Sequence, residues 1–177
     1  STAVIKVFDN QNETWSQIGN EIREGAGKHP RIGRHTSFDG NLLVSTGCSS
    51  NDLNATFWNI YTLEDETWTK RKTINASNFS PSVSSGISSE GLDVSNNKIA
   101  ISLCPKSWSS TEQSLVSVLD YSMLTNDVSK TYTIPTPADN LPYYATYYGY
   151  SVSLCNMGTR LAVGAPYTRW DGTDEPY

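Results

Sequence analysis

Two short patterns recur along the chain, and their spacing limits the fold more than any other feature of the sequence. The stretches NLLVSTG (41–47), KIAISLC (98–104) and RLAVGAP (160–166) align without gaps. Apolar residues then coincide at Leu42, Ile99 and Leu161 and again at Val44, Ile101 and Val163, with offsets of 57 and 62 residues between the first three. A second series alternates with the first: VFDNQNETWSQIG (7–19) and IYTLEDETWTKRK (60–72) share an aromatic, a polar turn and Glu-Thr-Trp, so Trp15 and Trp68 lie 53 residues apart. A third copy, VLDYSMLTNDVSKTYTI (118–134), keeps the strand and offers Tyr132 in place of the tryptophan. Self-similarity at a fixed period of this length is the mark of a repeat architecture.

The repeating material reads as strands. IKVF (5–8), NLLVST (41–46), FWNIYTL (57–63), KIAISL (98–103), SLVSVLDY (114–121), KTYTI (130–134), YSVSL (150–154) and RLAVGA (160–165) are rich in β-branched or aromatic residues and bounded by Gly, Asn, Asp or Pro. Asp39-Gly40, Asn96-Asn97 and Met157-Gly158 can supply the positive φ angles of tight hairpin turns. Ser, Thr and Asn dominate the polar fraction, and their side chains compete with helical hydrogen bonding. No stretch carries apolar residues at the 3.6-residue period of an amphipathic helix. The chain is therefore expected to be all-β. Two hairpins in each unit of roughly 55 to 60 residues give four antiparallel strands per unit, which is the make-up of a β-propeller blade.

Here the sequence resembles a known family. IKVF followed by WSQIGNEI (5–22), together with GYSVSLCNMGTRLAVGAP (149–166), resembles the FG-GAP repeats of integrin-α-like propellers, closest to the divergent repeats of large surface proteins of protists and marine microbes. The likeness is best over 4–22 and 149–167 and weakest over 73–97. It implies a β-propeller segment of about three blades' worth: the outer hairpin of a first blade (1–32), a second blade (33–84), a third blade (85–140) and the inner hairpin of a fourth (141–177). Propellers close with roughly 4 to 8 blades, so the segment is expected to belong to a larger propeller or to be completed by other subunits. Repeats of this family often carry a calcium loop, but FDGN (38–41), SNNK (95–98) and CNMGTR (155–160) hold at most one carboxylate each. A hard cation needs several oxygens on one loop, so no metal is expected.

The functional reading follows the same restraint. A formal net charge of −5, with no basic run, argues against nucleic acid as a partner. No stretch of 18 or more apolar residues is present, so no membrane insertion is expected, and STAVIKVF lacks the pattern of a signal peptide. His29 and His35 have no ligand-spaced neighbours, there is no Gly-x-Ser-x-Gly elbow, and no paired carboxylates stand out. The chain is read as a non-enzyme without a cofactor. Of three cysteines, Cys48 and Cys104 end similar strands and form a candidate disulfide, with buried thiols the plainer reading; Cys155 is left over. Asn12, Asn54, Asn75 and Asn78 begin Asn-x-Ser/Thr triplets and are candidate N-glycosylation sites, although a chain this rich in Asn, Ser and Thr holds such triplets by chance. Trp15 and Trp68 read as packing between blades, because catalytic residues have no reason to repeat.

Tyr147 and Tyr148, in LPYYATYYGY (141–150), are candidate ligand contacts, since tyrosine joins a flat apolar ring to a polar tip. The expected role is an extracellular or cell-surface structural and adhesive module, presenting loops and glycans within a surface layer, fibre or matrix. Its partners would be the remaining blades or other protein subunits, and glycans. The alternative is a lectin-like, carbohydrate-binding propeller that uses exposed tyrosines.

Overall fold

The computed structural model describes residues 3–24, 32–48, 56–79, 87–88, 91–105, 114–135 and 148–165; at 48, 87–88, 104–105, 135 and 156 only the backbone is described. Thirteen strands and two short 3-10 turns (Ala76–Asn78 and Asn156–Gly158) make up its regular structure, and the described residues contain no α-helix. The fold is all-β and antiparallel. Strands β1 (Val4–Gln11) and β2 (Thr14–Arg23) form a hairpin. Strands β3 (Thr36–Asp39), β4 (Leu42–Cys48), β5 (Thr56–Glu64) and β6 (Thr67–Asn75) form a four-stranded sheet in chain order. The next sheet runs β8 (Leu92–Ser95), β9 (Lys98–Pro105), β10 (Leu115–Ser122) and β11 (Asp127–Pro135), with the two-residue β7 (Ile87–Ser88) also paired to β9. A last hairpin joins β12 (Ser151–Leu154) and β13 (Leu161–Gly164).

Turn chemistry explains the hairpins. Asn12-Glu13, Asp65-Glu66 and Asn96-Asn97 all take positive φ at both residues, between 47° and 66°. Such turns twist in the same sense as the strands they join. Gly40, Met157 and Gly158 also lie at positive φ. The three long hairpins share a further device, a register shift at Ile5/Val7, Ile60/Tyr61 and Asp120/Tyr121. The shift adds one residue to β6, one to β11 and two to β2, and extra residues of this kind bend a hairpin and increase its twist.

The four sheets stack in chain order, and each interface has its own core. Ile5, Val7 and Ile22 of the first hairpin pack on Leu43, Tyr61 and Trp68 of the second sheet. The other face of that sheet, with Leu42, Val44, Trp58, Ile60 and Ile74, packs on Ile99, Ile101 and Leu119 of the third. Trp58 also meets the Phe79 ring edge-on, centroids 5.9 Å apart. Ala100 and Val118 then meet Leu154 of the last hairpin.

This packing corrects two alignments drawn from sequence. Leu42 and Val44 do not occupy the places of Ile99 and Ile101: the two pairs come from opposite faces of their sheets and meet in one interface. It is Leu43 that looks back toward the preceding sheet as Ile99 does. The turns set this register, Asp39 pairing with Leu42 but Ser95 with Lys98, and a one-residue slip exchanges the faces of a strand. Tyr132 likewise is not the counterpart of Trp68. Trp68 pairs with Leu63 beside its turn and faces the first hairpin, whereas Tyr132 pairs with Val118 on the face turned to β12 and β13.

Candidate functional site

The inner strands of the last three sheets are tied side by side through one carboxylate. Asp93, on β8, accepts at Oδ1 from the Ser37 hydroxyl of β3 (2.9 Å) and from the Val94 amide (2.9 Å). Its Oδ2 accepts from the Leu154 amide of β12 at 2.7 Å. An aspartate is unfavourable within a strand, and here it is retained because three donors from three strands converge on it. Charge-assisted bonds of this kind are the stronger class.

Beyond Asp93 the inner hairpin turns lie against one another. The Asn96 amide donates to Asp39 Oδ2 at 2.7 Å, and the Ser95 hydroxyl donates to the Cys155 carbonyl at 2.9 Å. Asn96 Nδ2 reaches the Met157 carbonyl at 3.4 Å. Three turns from three sheets thereby form one polar surface, with Asn96, Asn97, Thr159 and Arg160 exposed and Met157 projecting from it. Within the last turn the Cys155 sulfur faces the Thr159 hydroxyl at 3.4 Å and accepts from the Arg160 amide at 3.1 Å. The Thr159 contact holds the thiol below its usual range, against partial desolvation, and the Arg160 amide adds to the effect.

A second polar knot joins the first hairpin to the second sheet. Glu24 Oε1 accepts from Asn59 Nδ2 (2.8 Å), the Tyr61 hydroxyl (2.9 Å) and Lys70 Nζ (2.8 Å). Burial pushes the Tyr61 phenol well above its usual range, and the Glu24 charge adds to the shift. Nearby, the Trp68 indole donates to the Ile18 carbonyl at 3.1 Å and its amide to Asn20 Oδ1 at 2.6 Å. The ring lies on Gly19, where a Cβ would stand 2.5 Å from it and where φ is +71°. No other residue fits that place.

The residues singled out from sequence fare differently. Asn12 sits exposed at the tip of the first hairpin, and Asn75 and Asn78 are exposed at the end of β6, where Asn78 Oδ1 accepts the Asn75 amide at 2.9 Å. Tyr148 is half-buried in the turn leading to β12. Asn54, Tyr147 and His29 lie outside the described residues, as do the side chains of Cys48 and Cys104 and hence their pairing. Trp68 is packed as expected, but its repeat partner Trp15 is 67% exposed. Among the described residues, no group of three or more His, Cys, Asp or Glu side chains could hold a metal ion, and no helix is long and apolar enough to cross a membrane. Sequence reasoning missed Asp93, Glu24 and Asn20; for Asp93 the signal was available, a lone acid flanked by strand-forming residues in LDVS.

Fold and site together define an all-β protein of stacked antiparallel sheets, four-stranded sheets among them. Comparison of the chain with family models, with curated proteins and with solved structures finds no match.

Proposed function

We propose that the chain is a segment of a β-propeller of the FG-GAP-like kind and serves as a non-catalytic structural and adhesive module at the cell surface or outside the cell. The observation that carries this reading is the Asp93 tie between β3, β8 and β12, together with the adjoining turns. Neighbouring sheets bonded through equivalent inner strands suit a radial arrangement about an axis on that side. The sheets' stacking in chain order, each with its own interface core, suits it equally.

In such a scaffold the inner turns are fixed against one another before any partner arrives, so contact requires little further ordering. Rigid elements that position exposed loops are the usual setting for recognition. The tip at Asn12, exposed on the outer hairpin, would carry a glycan into solvent. The test uses the native protein in its source cells. An antibody against the Asn12 hairpin is expected to label intact, unpermeabilised cells, and electron microscopy of the purified protein is expected to show rings. Labelling only after permeabilisation would sink the surface role, and elongated particles without rings would sink the propeller.

A further inference from the structure

A bulge brings a lysine and an asparagine to one place on the second sheet. Across β5 and β6, Asn59 pairs with Thr73 and Ile60 with Lys72, but Tyr61 pairs with Lys70, so Arg71 is the extra residue. Plain alternation would put Lys70 and Thr73 on opposite faces of the sheet, and the bulge returns them to the same one. Lys72 keeps the other face, where it meets Asp127 of the third sheet. Lys70 therefore stands diagonal to Asn59 on the side turned to the first hairpin, a spacing that a long side chain spans.

Glu24, just past β2, receives both nitrogens. Its Oε1 accepts from Lys70 Nζ and from Asn59 Nδ2, each at 2.8 Å, so one carboxylate oxygen touches the amine and the amide nitrogen together. At the other end of the amide, the Thr73 hydroxyl donates to Asn59 Oδ1 at 2.7 Å. The Tyr61 hydroxyl also donates to Glu24 Oε1, at 2.9 Å, and with its phenol held above the usual range it stays a donor rather than a base. Asn59 is 0% exposed, whereas the Lys70 side chain is 42% exposed. The amide is thus shut off from solvent, and Lys70 reaches it from the wet side. These are the parts of an acyl transfer: a nucleophile bonded to a base, the same base bonded to the leaving group, and a donor on the carbonyl oxygen.

We propose that Lys70 and Asn59 join through an isopeptide bond, with Glu24 as the proton carrier and Thr73 as the donor to the carbonyl oxygen. Lys70 Nζ gives a proton to Glu24 and, as the free amine, attacks Asn59 Cγ. The Cγ–Nζ bond forms, and the charge that develops on Oδ1 is met by the Thr73 hydroxyl. Glu24 passes its proton to Nδ2, the Cγ–Nδ2 bond breaks, and the former amide nitrogen departs as ammonia. Nζ sheds a further proton as it becomes an amide, and the ammonia takes that proton up as ammonium. Nothing is oxidised or reduced, and no co-reactant is needed. The fold supplies the rest, because reactants held together by their own chain react as if at very high concentration. The bond fastens β6 to β5 covalently, and it stands or falls independently of the propeller reading.

The purified protein, denatured and weighed by mass spectrometry, is expected to be lighter than its sequence by one ammonia. Its digest is expected to hold a branched peptide with Lys70 Nζ bonded to Asn59 Cγ. Lys70→Arg keeps the charge but removes the nucleophile, and the full sequence mass is expected. Glu24→Gln keeps a hydrogen-bonding side chain that cannot carry the proton, so bond formation is expected to slow on the order of a hundredfold or more, as loss of a general base does. Lys72→Arg, on the opposite face, is expected to cross-link as the parent does. A folded parent that keeps its full mass and an unmodified Lys70 overturns the proposal. So does an ammonia loss that persists in Lys70→Arg, which marks succinimide formation at an asparagine, and so does a Glu24→Gln chain that cross-links at the parent's rate. Circular dichroism separates lost chemistry from lost fold in the variants, and where a variant does not fold the parent's mass and peptide map decide alone.

Discussion

Ser117 carries the least comfortable atom in the core. It lies on β10 between Leu115 and Leu119, facing the second sheet, and its hydroxyl has no hydrogen-bond partner among the described residues although the residue is 1% exposed. A buried hydroxyl without a partner costs about 1–3 kcal/mol, and removing it returns much of that. Ser117→Ala is therefore expected to stabilise the protein by about 1 kcal/mol, read as a higher urea midpoint at unchanged slope. A lower midpoint would mean that the hydroxyl has a partner after all. Asp93 is the opposite case, a polar side chain with every oxygen engaged. Asp93→Ala leaves the Leu154 amide without this acceptor and the Val94 amide with the Ser37 hydroxyl oxygen alone, at 3.1 Å, and a loss of about 2 kcal/mol is expected, within the range for bonds to a charged group. Hydrogen exchange should locate the damage: the Leu154 amide is expected to lose protection first, while Asp93→Asn, which keeps one acceptor, restores part of it.

At the level of strands and hairpins, legibility followed chemistry. β5, β9 and β10 could be seen from their β-branched and aromatic runs, whereas β3 and β8 are short and were implied only by the turns that follow them. Register was not readable from Leu42-Leu43-Val44, because both faces of β4 are buried and an uninterrupted apolar run has no phase. A better ruler was present in the glycines: Gly33, Gly91 and Gly149 fall 58 residues apart, each just ahead of an inner strand. At Gly91 a Cβ would stand 2.6 Å from the Gly149 carbonyl, so neighbouring inner strands approach too closely there for any side chain. The polar ties between sheets were not readable at all, since Glu24 and Lys72 find partners 35 to 55 residues away. One of these ties predicts a pH response. Hydrogen bonding to Lys72 of the second sheet, and to the Val128 amide, holds the Asp127 carboxyl below its usual value. A carboxylate whose folded pKa is depressed stabilises the fold above the unfolded value of 3.8 and loses that contribution as pH falls through the lower folded value. The pair is exposed, so the effect is small and screened by salt. Melting temperature is expected to fall more shallowly below pH 4 in Lys72→Met than in the parent at low ionic strength, and the two curves should converge in molar salt.

Across the whole molecule, stability is expected to be graded along the stack. Among the described residues the cores lie between consecutive sheets, so cohesion is close to a sum of terms for the sheets and the interfaces between them. Among the described residues the middle interface has the most buried side chains, with Trp58, Ile60, Ile99, Ile101 and Leu119 all within 1% of full burial. The last interface has the fewest among them, its buried members being Ala100, Val118 and Leu154. Native-state hydrogen exchange of the single chain should therefore rank β4, β5, β9 and β10 as the slowest, β1 and β2 as intermediate and β12 and β13 as the fastest.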